Sequence, residues 1–137
     1  MTSTIRIAAA LLIGSNGHTL LVRKRGTQAF MQPGGKIDAG EQPAEALARE
    51  LFEELNLRID PSDATYLGDF SAPAANEPGF TVHAELFQVH IDVPVTPAAE
   101  IEEVRWIDPA GDGGLHLAPL TRDLILPFYR ASLTAIA

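Results

Sequence analysis

A nearly unbroken apolar run near the start of the chain limits its fold more than any other feature. Residues 5–13 (IRIAAALLI) carry one charged side chain and are otherwise apolar. A strand that is apolar on both faces must be covered on both faces, so this run predicts a central strand of a layered sheet. The sequence SNG at 15–17 predicts a tight hairpin turn, and residues 18–25 (HTLLVRKR) predict the returning strand.

The rest of the chain alternates between helical and strand patterns. A helix is predicted over 41–55, because Ala44, Leu47, Leu51 and Leu55 recur at spacings of three and four. Extended segments are predicted at 30–32, 64–71, 80–91 and 102–108, and a closing amphipathic helix at 119–134. This order predicts a mixed β-sheet flanked by two helices, which is an α+β fold built as an α/β/α sandwich. A length of 137 residues suits one domain covering 1–137.

Local signals refine the predicted elements. Pro43 suits the first turn of the helix, and Asn56 suits a left-handed cap at its end. The apolar alternation changes parity within 80–91, which predicts a bulge or strong twist near 86–88. Pro127 should kink or split the closing helix. The residues expected to face inward, in that helix and in the strand before it, are Leu120, Leu124, Phe128, Leu133 and Trp106.

Composition excludes several classes of function. Asp and Glu number 18 against 10 Lys and Arg, and a net charge of −8 disfavours nucleic acid as a partner. With no cysteine, the chain can form neither disulfides nor cysteine-based zinc sites. No apolar run approaches the ~20 residues of a membrane helix, so we expect no membrane partner. A cytoplasmic location is the default expectation.

The end of the first predicted helix carries unfavourable charge. Glu50, Glu53 and Glu54 lie at i, i+3 and i+4, on one face and away from the leucine stripe. Carboxylates at this spacing repel one another by about 0.2–0.5 kcal/mol per pair. Those in the last turn also oppose the helix dipole by about 0.3–1 kcal/mol each. A helix end that is unfavourable both for charge spacing and for the helix dipole indicates a functional site or a bound cation.

The residues before the helix favour a cation site. Gly34 and Gly35 allow a ligand or metal to approach the backbone closely. Clustered carboxylate oxygens suit Mg²⁺ or Mn²⁺, and both ions pair naturally with phosphate groups. A small phosphorylated ligand is therefore compatible with an acidic protein.

The segment PGGKIDAGEQPAEALARELFEELNL (33–57) resembles the signature of the Nudix hydrolase (MutT-like) family. That signature is glycine, five residues, glutamate, seven residues, Arg-Glu, an aliphatic residue, any residue, Glu-Glu, any residue, glycine and an aliphatic residue. Gly35, Glu41 and Arg49-Glu50 have this spacing, and residues 51–57 (LFEELNL) complete the signature. The one departure is Asn56 in place of glycine. LLVRKR, FMQPGGK and EIEEVRWID extend the resemblance over most of 5–108.

The resemblance implies hydrolysis of a diphosphate linkage joined to another group X, usually a nucleoside. It assigns Glu50, Glu53 and Glu54 to divalent metal ions, Mg²⁺ or Mn²⁺, with the Gly35 carbonyl as a further ligand. Glu54 and Glu50 are the favoured direct ligands, whereas Glu53 either coordinates or positions water. Glu41 and Arg49 are implied to orient the loop and the carboxylates. The family often forms dimers, so a homodimer is a further expectation.

Residues outside the signature complete the predicted site. Family members often take another carboxylate from a later loop as metal ligand or general base, and Glu100 is the main candidate. Glu103 and Glu77 compete with it. Other side chains could meet the phosphates or stack on a base, although a solvated charge or core packing explains each of them equally well. These candidates are Arg23, Arg25, Lys36, Phe30 and Phe80.

Two alternatives to a nucleoside di- or triphosphate hydrolase stay open. Pro73 lies 16 residues past the signature, which resembles a marker of ADP-ribose pyrophosphatases, so X could be a sugar. The domain could instead be a nucleotide-sensing relative without catalysis, although such relatives usually lose signature carboxylates that this chain keeps.

Overall fold

The computed structural model describes residues 3–136, with side chains up to residue 134. The strands are β1 (Ser3–Ile13), β2 (Thr19–Lys24), β3 (Phe30–Met31), β4 (Gly34–Lys36), β5 (Thr65–Pro73), β6 (Phe80–His90) and β7 (Ile101–Ile107). The helices are α1 (Pro43–Leu55) and α2 (Leu126–Ile136). A 3-10 turn (Pro61–Asp63) and a π-helical turn (Thr121–Ile125) lie between them.

The mixed sheet is built around β1. One side of β1 pairs in parallel with β6 along its whole length, and β5 continues the sheet antiparallel to β6. The other side of β1 is shared: Ile13 pairs with Thr19 of β2, while residues 7–9 pair with β4. Strand β2 continues to β3 and β7. This division of the β1 edge places the short glycine strand β4 against the middle of the sheet.

Each face of β1 packs against one helical layer. Ala8, Ala10 and Leu12 belong to the core beneath α1, whereas Ala9 and Leu11 belong to the core beneath the π-helical turn and α2. All five side chains are buried. The predicted central strand and the α/β/α sandwich are therefore confirmed.

Helix α1 ends at Leu55 as its sequence predicts and begins at Pro43, two residues later than predicted. Gln42 precedes the helix, and its backbone N–H donates to the Glu45 carboxylate (2.9 Å), which satisfies one free donor of the first turn. Asn56 adopts the left-handed conformation (φ +53°) and caps the end. Leu47, Leu51 and Leu55 are fully buried against the sheet.

The change of parity in β6 has a different origin from the one predicted. Ala84 and Leu86 face the α2 layer, and Phe87 and Val89 face the α1 layer. Both faces of β6 are buried, so side chains on one face pack into the core beneath α1 and those on the other face pack into the core beneath α2. The irregular register lies on the partner strand β5, between Tyr66 and Gly68, opposite residues 86–87.

Two of the predicted inward-facing side chains, Trp106 and Leu133, are exposed instead. Trp106 is 41% exposed, because β7 lies at the margin of the sheet and the indole packs beside Gly14. Leu133 is 40% exposed. The closing helix runs without a break from 119 to 136, and the irregularity that Pro127 predicts is the π-helical turn at 121–125 within it. The predicted Leu120 is buried, and the predicted Leu124 and Phe128 are partly buried against the same core. The other buried side chains there are Ile125, Leu126 and Tyr129. No helix in the described part of the chain is long and apolar enough to cross a membrane.

Replacing Leu51 with alanine should lower the free energy of unfolding by about 2–5 kcal/mol, because the side chain fills the core between α1 and β1. Urea unfolding of the metal-free protein measures this loss. The matched control is Phe52→Ala, whose exposed ring stacks on the Arg58 guanidinium (4.4 Å) and should cost less than about 1 kcal/mol. Equal losses in the two variants would contradict the assigned packing of α1.

Candidate active site

The two glycines of β4 lie where a side chain has no room. Gly34 pairs with Ala9 of β1 at φ +146°, and a Cβ there would overlap the Ala8 backbone. A Cβ on Gly35 would lie 2.6 Å from Oε2 of Glu50. The strand thus brings bare backbone against both β1 and the Glu50 carboxylate.

Glu54 is a buried carboxylate on the sheet side of α1. Its side chain accepts a hydrogen bond from the Gly34 N–H (3.0 Å), and the residue is only 6% exposed. Burial raises the pKa of Glu54 to about 7. The Gly34 hydrogen bond and the positive charge of Lys24 oppose this shift, whereas the charges of Glu50 and Glu100 add to it.

Glu50 lies between Gly35 and Arg49. Its Oε1 accepts from Arg49 Nη1 (2.9 Å), and its carboxylate rests against the Gly35 backbone. Burial raises the pKa of Glu50 even though the Arg49 guanidinium lowers it. Two neighbouring acids of one helix therefore both resist ionisation in the metal-free protein.

Arg49 is the centre of a network that braces the loop before α1. It donates to both carboxylate oxygens of Glu41 (2.8 and 2.9 Å) and to the Lys36 carbonyl (3.0 Å). Its hydrogen bonds, with one from the Asp38 N–H, lower the pKa of Glu41 to about 2. The same Arg49 side chain thus ties the loop, Glu41 and Glu50 together.

Glu53 does not join the other two carboxylates. It is exposed, and its nearest cation is Arg49 Nη1 at 3.7 Å. Within the described residues, no three His, Asp or Glu side chains converge closely enough to hold a metal ion.

The prediction that all three glutamates face away from the leucines was wrong for Glu54. At about 100° per residue, Glu54 falls roughly 20° from Leu47, Glu50 roughly 60° and Glu53 roughly 120°. The seven-residue spacing from Leu47 was the signal that could have identified the buried acid.

Lys24 is a site residue that the sequence analysis missed. Together with Gly34, Gly35 and Glu54 it lines a hollow in the protein surface. Its charge lowers the pKa of both Glu50 and Glu54. Strand alternation was the available signal, since Lys24 shares the parity of Val22, which faces the core beneath α1.

Arg23 and Arg25 are occupied by other contacts. Arg23 pairs with Glu103 (3.3 Å) and donates to the Thr27 carbonyl (2.9 Å). Arg25 pairs with Glu102 (3.4 Å) at the surface. Both arginines have the opposite strand parity to Lys24, so the structure does not gather them with the carboxylates.

The remaining predicted residues divide between the site and the core. Lys36 and Glu77 line the hollow beside Glu54, and Glu100 is exposed and near enough for its charge to act on Glu54. Phe30 is 5% exposed within the core, so the prediction that it stacks on a base was wrong. Phe80 is 39% exposed at the start of β6, where base stacking stays a prediction.

The hollow beside Glu54 continues into a smaller apolar one. The first has a volume of ≈ 120 Å³, and the second has ≈ 60 Å³. Shared walls include Ile7, Met31, Gln32 and Val82. The arrangement joins a polar end, lined by the buried Glu54, the exposed Glu77 and two lysines, to an apolar end beneath the π-helical turn.

Comparison with known proteins identifies a family. The model of the NUDIX domain matches residues 3–112. A Myxococcus xanthus protein named octanoyltransferase is 38% identical over 109 residues, which are 77% of this chain and 30% of that protein. The 8-oxo-dGTP diphosphatase of Haemophilus influenzae is 42% identical over 57 residues, which are 39% of this chain and 42% of that enzyme. The chain thus spans less than half the length of either relative.

A solved structure shares the fold. The MutT protein of Methanosarcina mazei superimposes with a TM-score of 0.78 at 20% identity, covering 96% of both chains. At that identity the likeness concerns the fold alone, and it agrees with the mixed sheet between two helices.

Substitutions of the two glycines should have different effects. Gly35→Ala should fold, because the nearest atoms that its Cβ meets belong to the end of the Glu50 side chain and not to the backbone. It should lose at least about tenfold of any hydrolytic rate, because the Cβ displaces the Glu50 carboxylate. Gly34→Ala should unfold more easily by several kcal/mol, because its Cβ meets the β1 backbone at a strained φ. Thermal melting and initial rates, measured side by side, separate the two effects. A stable Gly34→Ala protein would contradict the assigned contact.

The metal-free protein should lose stability as the pH rises from about 4.5 to 7. A carboxyl with a higher pKa in the folded state binds more protons there than when unfolded, so deprotonation favours unfolding. The Glu54 shift corresponds to a loss on the order of 3 kcal/mol. Urea unfolding in chelator at pH 5 and 7.5 measures it.

Glu54→Gln should reduce this pH dependence, since the amide oxygen still accepts from Gly34 but the side chain no longer titrates. The dependence that remains belongs to Glu50, whose pKa is also raised by burial. Glu53→Gln is the matched control, being exposed on the same helix, and should retain the slope. An unchanged slope in Glu54→Gln would show that Glu54 is not the titrating group.

Proposed function

Because the chain belongs to the Nudix hydrolase family, we propose that it hydrolyses the diphosphate linkage of a nucleoside di- or triphosphate in a reaction dependent on a divalent metal ion. The observation that carries the proposal is the pair of desolvated carboxylates, Glu50 and Glu54, held against the glycine strand β4. Burying acids in this way costs stability, and a bound cation would recover that cost.

The residues present fit a hard divalent cation by their chemistry. Glu50, Glu54 and the Gly35 carbonyl would hold it, with Glu53 at the exposed side. All are oxygen donors of the kind that Mg²⁺ and Mn²⁺ prefer. When bound, such an ion neutralises phosphate oxygens and lowers the pKa of an attacking water. Mg²⁺ is the proposed ion, and Mn²⁺ is the alternative.

The chain's own residues have distinct tasks in this proposal. Lys24 and Lys36 contribute positive charge to the hollow and would contact the phosphate groups. Arg49, fixed by Glu41, keeps the Glu50 carboxylate against Gly35. Glu53 would position the attacking water, and Glu100 is proposed as the further carboxylate that accepts its proton. Glu77, which lines the hollow, competes with Glu100 for that role.

The group X is proposed to be a nucleoside. The matching segment of the Haemophilus influenzae relative belongs to a protein named for the hydrolysis of a nucleoside triphosphate. The apolar extension of the hollow could receive a base. The ADP-ribose alternative keeps one supporting observation, because Pro73 lines that apolar extension.

Glu54→Gln and Glu50→Gln should each reduce turnover by about 100-fold or more, because each removes a proposed metal ligand. Phosphate or pyrophosphate release from a panel of nucleoside triphosphates at millimolar Mg²⁺ measures the loss. The control is Asp123→Asn, an exposed residue paired with Arg122 on the α2 side, which should keep full activity. If both glutamine variants retained wild-type rates, the proposed site would be wrong.

The same assay separates an enzyme from a nucleotide sensor. Turnover that disappears with chelator and returns with Mg²⁺ supports the proposal. Tight nucleotide binding by calorimetry, with no product from any diphosphate compound at any metal concentration, would favour the sensor.

A further inference from the structure

The apolar extension of the hollow contains one unsatisfied polar group. Gln32 is 7% exposed, and Thr121 Oγ1 donates to its Oε1 (2.7 Å). The amide nitrogen Nε2 is buried and meets no hydrogen-bond acceptor on any described residue. A buried N–H without a partner is unfavourable, so natural proteins rarely keep one without a use.

Backbone pairing anchors Phe30, two residues before Gln32, to a distant segment of the chain. The Phe30 N–H donates to the His116 carbonyl (2.8 Å), and the Ala118 N–H donates to the Phe30 carbonyl (2.9 Å). This short ladder joins β3 to the segment that leads into the π-helical turn, where Thr121 is the first residue. Thr121 is fully buried, and its hydroxyl donates to the amide oxygen, which leaves Nε2 as the end of the amide without a partner.

Gln32 lies where the two hollows meet. It lines the polar hollow with Gly34, Gly35 and Glu54, and it lines the apolar extension with Ala118 and Leu120. A group linked to a diphosphate at the carboxylates would therefore lie against the Gln32 side chain, and the walls of the extension must shift for it to reach the buried Nε2. The ≈ 60 Å³ of the extension is less than the ~150 Å³ cavity that holds a benzene ring. A ring must then span both hollows and present an edge to Gln32.

We propose that Gln32 is a specificity-determining residue that donates from Nε2 to a hydrogen-bond acceptor on the edge of a flat ring. This inference rests on the proposed hydrolase function and narrows its substrate class. The ring is a heterocyclic base with a carbonyl oxygen or an unprotonated ring nitrogen at that edge. A substrate without this acceptor leaves the amide unpaired and is rejected.

A protein–substrate double cycle tests the assignment. The substrates are the best nucleoside triphosphate from the wild-type screen and analogues in which one acceptor is deleted, either a ring nitrogen replaced by CH or a carbonyl removed. For one analogue, wild-type kcat/KM should fall by about 10- to 100-fold. Gln32→Met should lose a similar factor on the parent substrate and should no longer distinguish it from that analogue.

Matched variants keep the result interpretable. Gln88→Met replaces a glutamine paired with His90 on β6, away from the hollows, and should retain the wild-type discrimination. Thr121→Val should weaken discrimination by freeing the amide, whereas Thr121→Ser should preserve it. Metal-free Gln32→Met should melt lower than wild type, because it leaves the buried Thr121 hydroxyl without its acceptor, so all variants are compared below the lowest melting temperature among them. An equal discrimination ratio in Gln32→Met and wild type for every analogue overturns the assignment.

Failure of the inference differs from failure of the proposed function. Wild-type turnover alone tests the hydrolase. If wild type hydrolyses nothing, the same cycle is run on the Kd values of the parent triphosphate and its analogues by calorimetry. Loss of discrimination in Gln32→Met then still supports the donor role, and unchanged discrimination still overturns it.

Discussion

The contact between the Gly34 N–H and the Glu54 carboxylate is the interaction on which the site depends. It joins the end of α1 to a three-residue strand inserted against β1. A side chain at Gly34 would push that strand away from β1. The β4 backbone, α1 and β1 together therefore keep the Glu54 carboxylate away from water. The other groups of the site are positioned around this carboxylate.

The pKa values of Glu41 and Glu54, two acids of the site, are shifted in opposite directions. Arg49 forms two hydrogen bonds with Glu41 and keeps its pKa near 2, so that Glu41 is a permanent anion that braces the loop. Burial moves the pKa of Glu54 to about 7, so this acid gains its charge only near neutral pH or beside a cation. One helix and the loop before it thus combine a structural ion pair with carboxylates whose charge is costly in the absence of a ligand.

Local rules predicted much of the fold. Helix α1 follows from its leucine spacing, Pro43 and the Asn56 cap, and β1 follows from its apolar run. Errors arose where the neighbour of a residue decides its exposure. Phe30 is buried because the segment at 116–118 covers β3, and Trp106 is exposed because β7 lies at the margin of the sheet. A local sequence pattern does not show which residues a distant segment of the chain will pack over and bury. The parity of Lys24 and the spacing of Glu54 from Leu47 were local signals that were overlooked.

The sequence by itself determined the elements, the family signature and the set of acids near the end of α1, because these depend on periodicity and spacing along the chain. Only the tertiary structure decided how strongly Glu54 is desolvated and which arginines are paired away from the site. Desolvation of Glu54, the pairing of Arg23 and Arg25 and the unpaired amide of Gln32 all depend on segments far apart in sequence. Burial and charge are sums over neighbours in space, and those neighbours exist only once the sheet and its two helical layers have closed around the site.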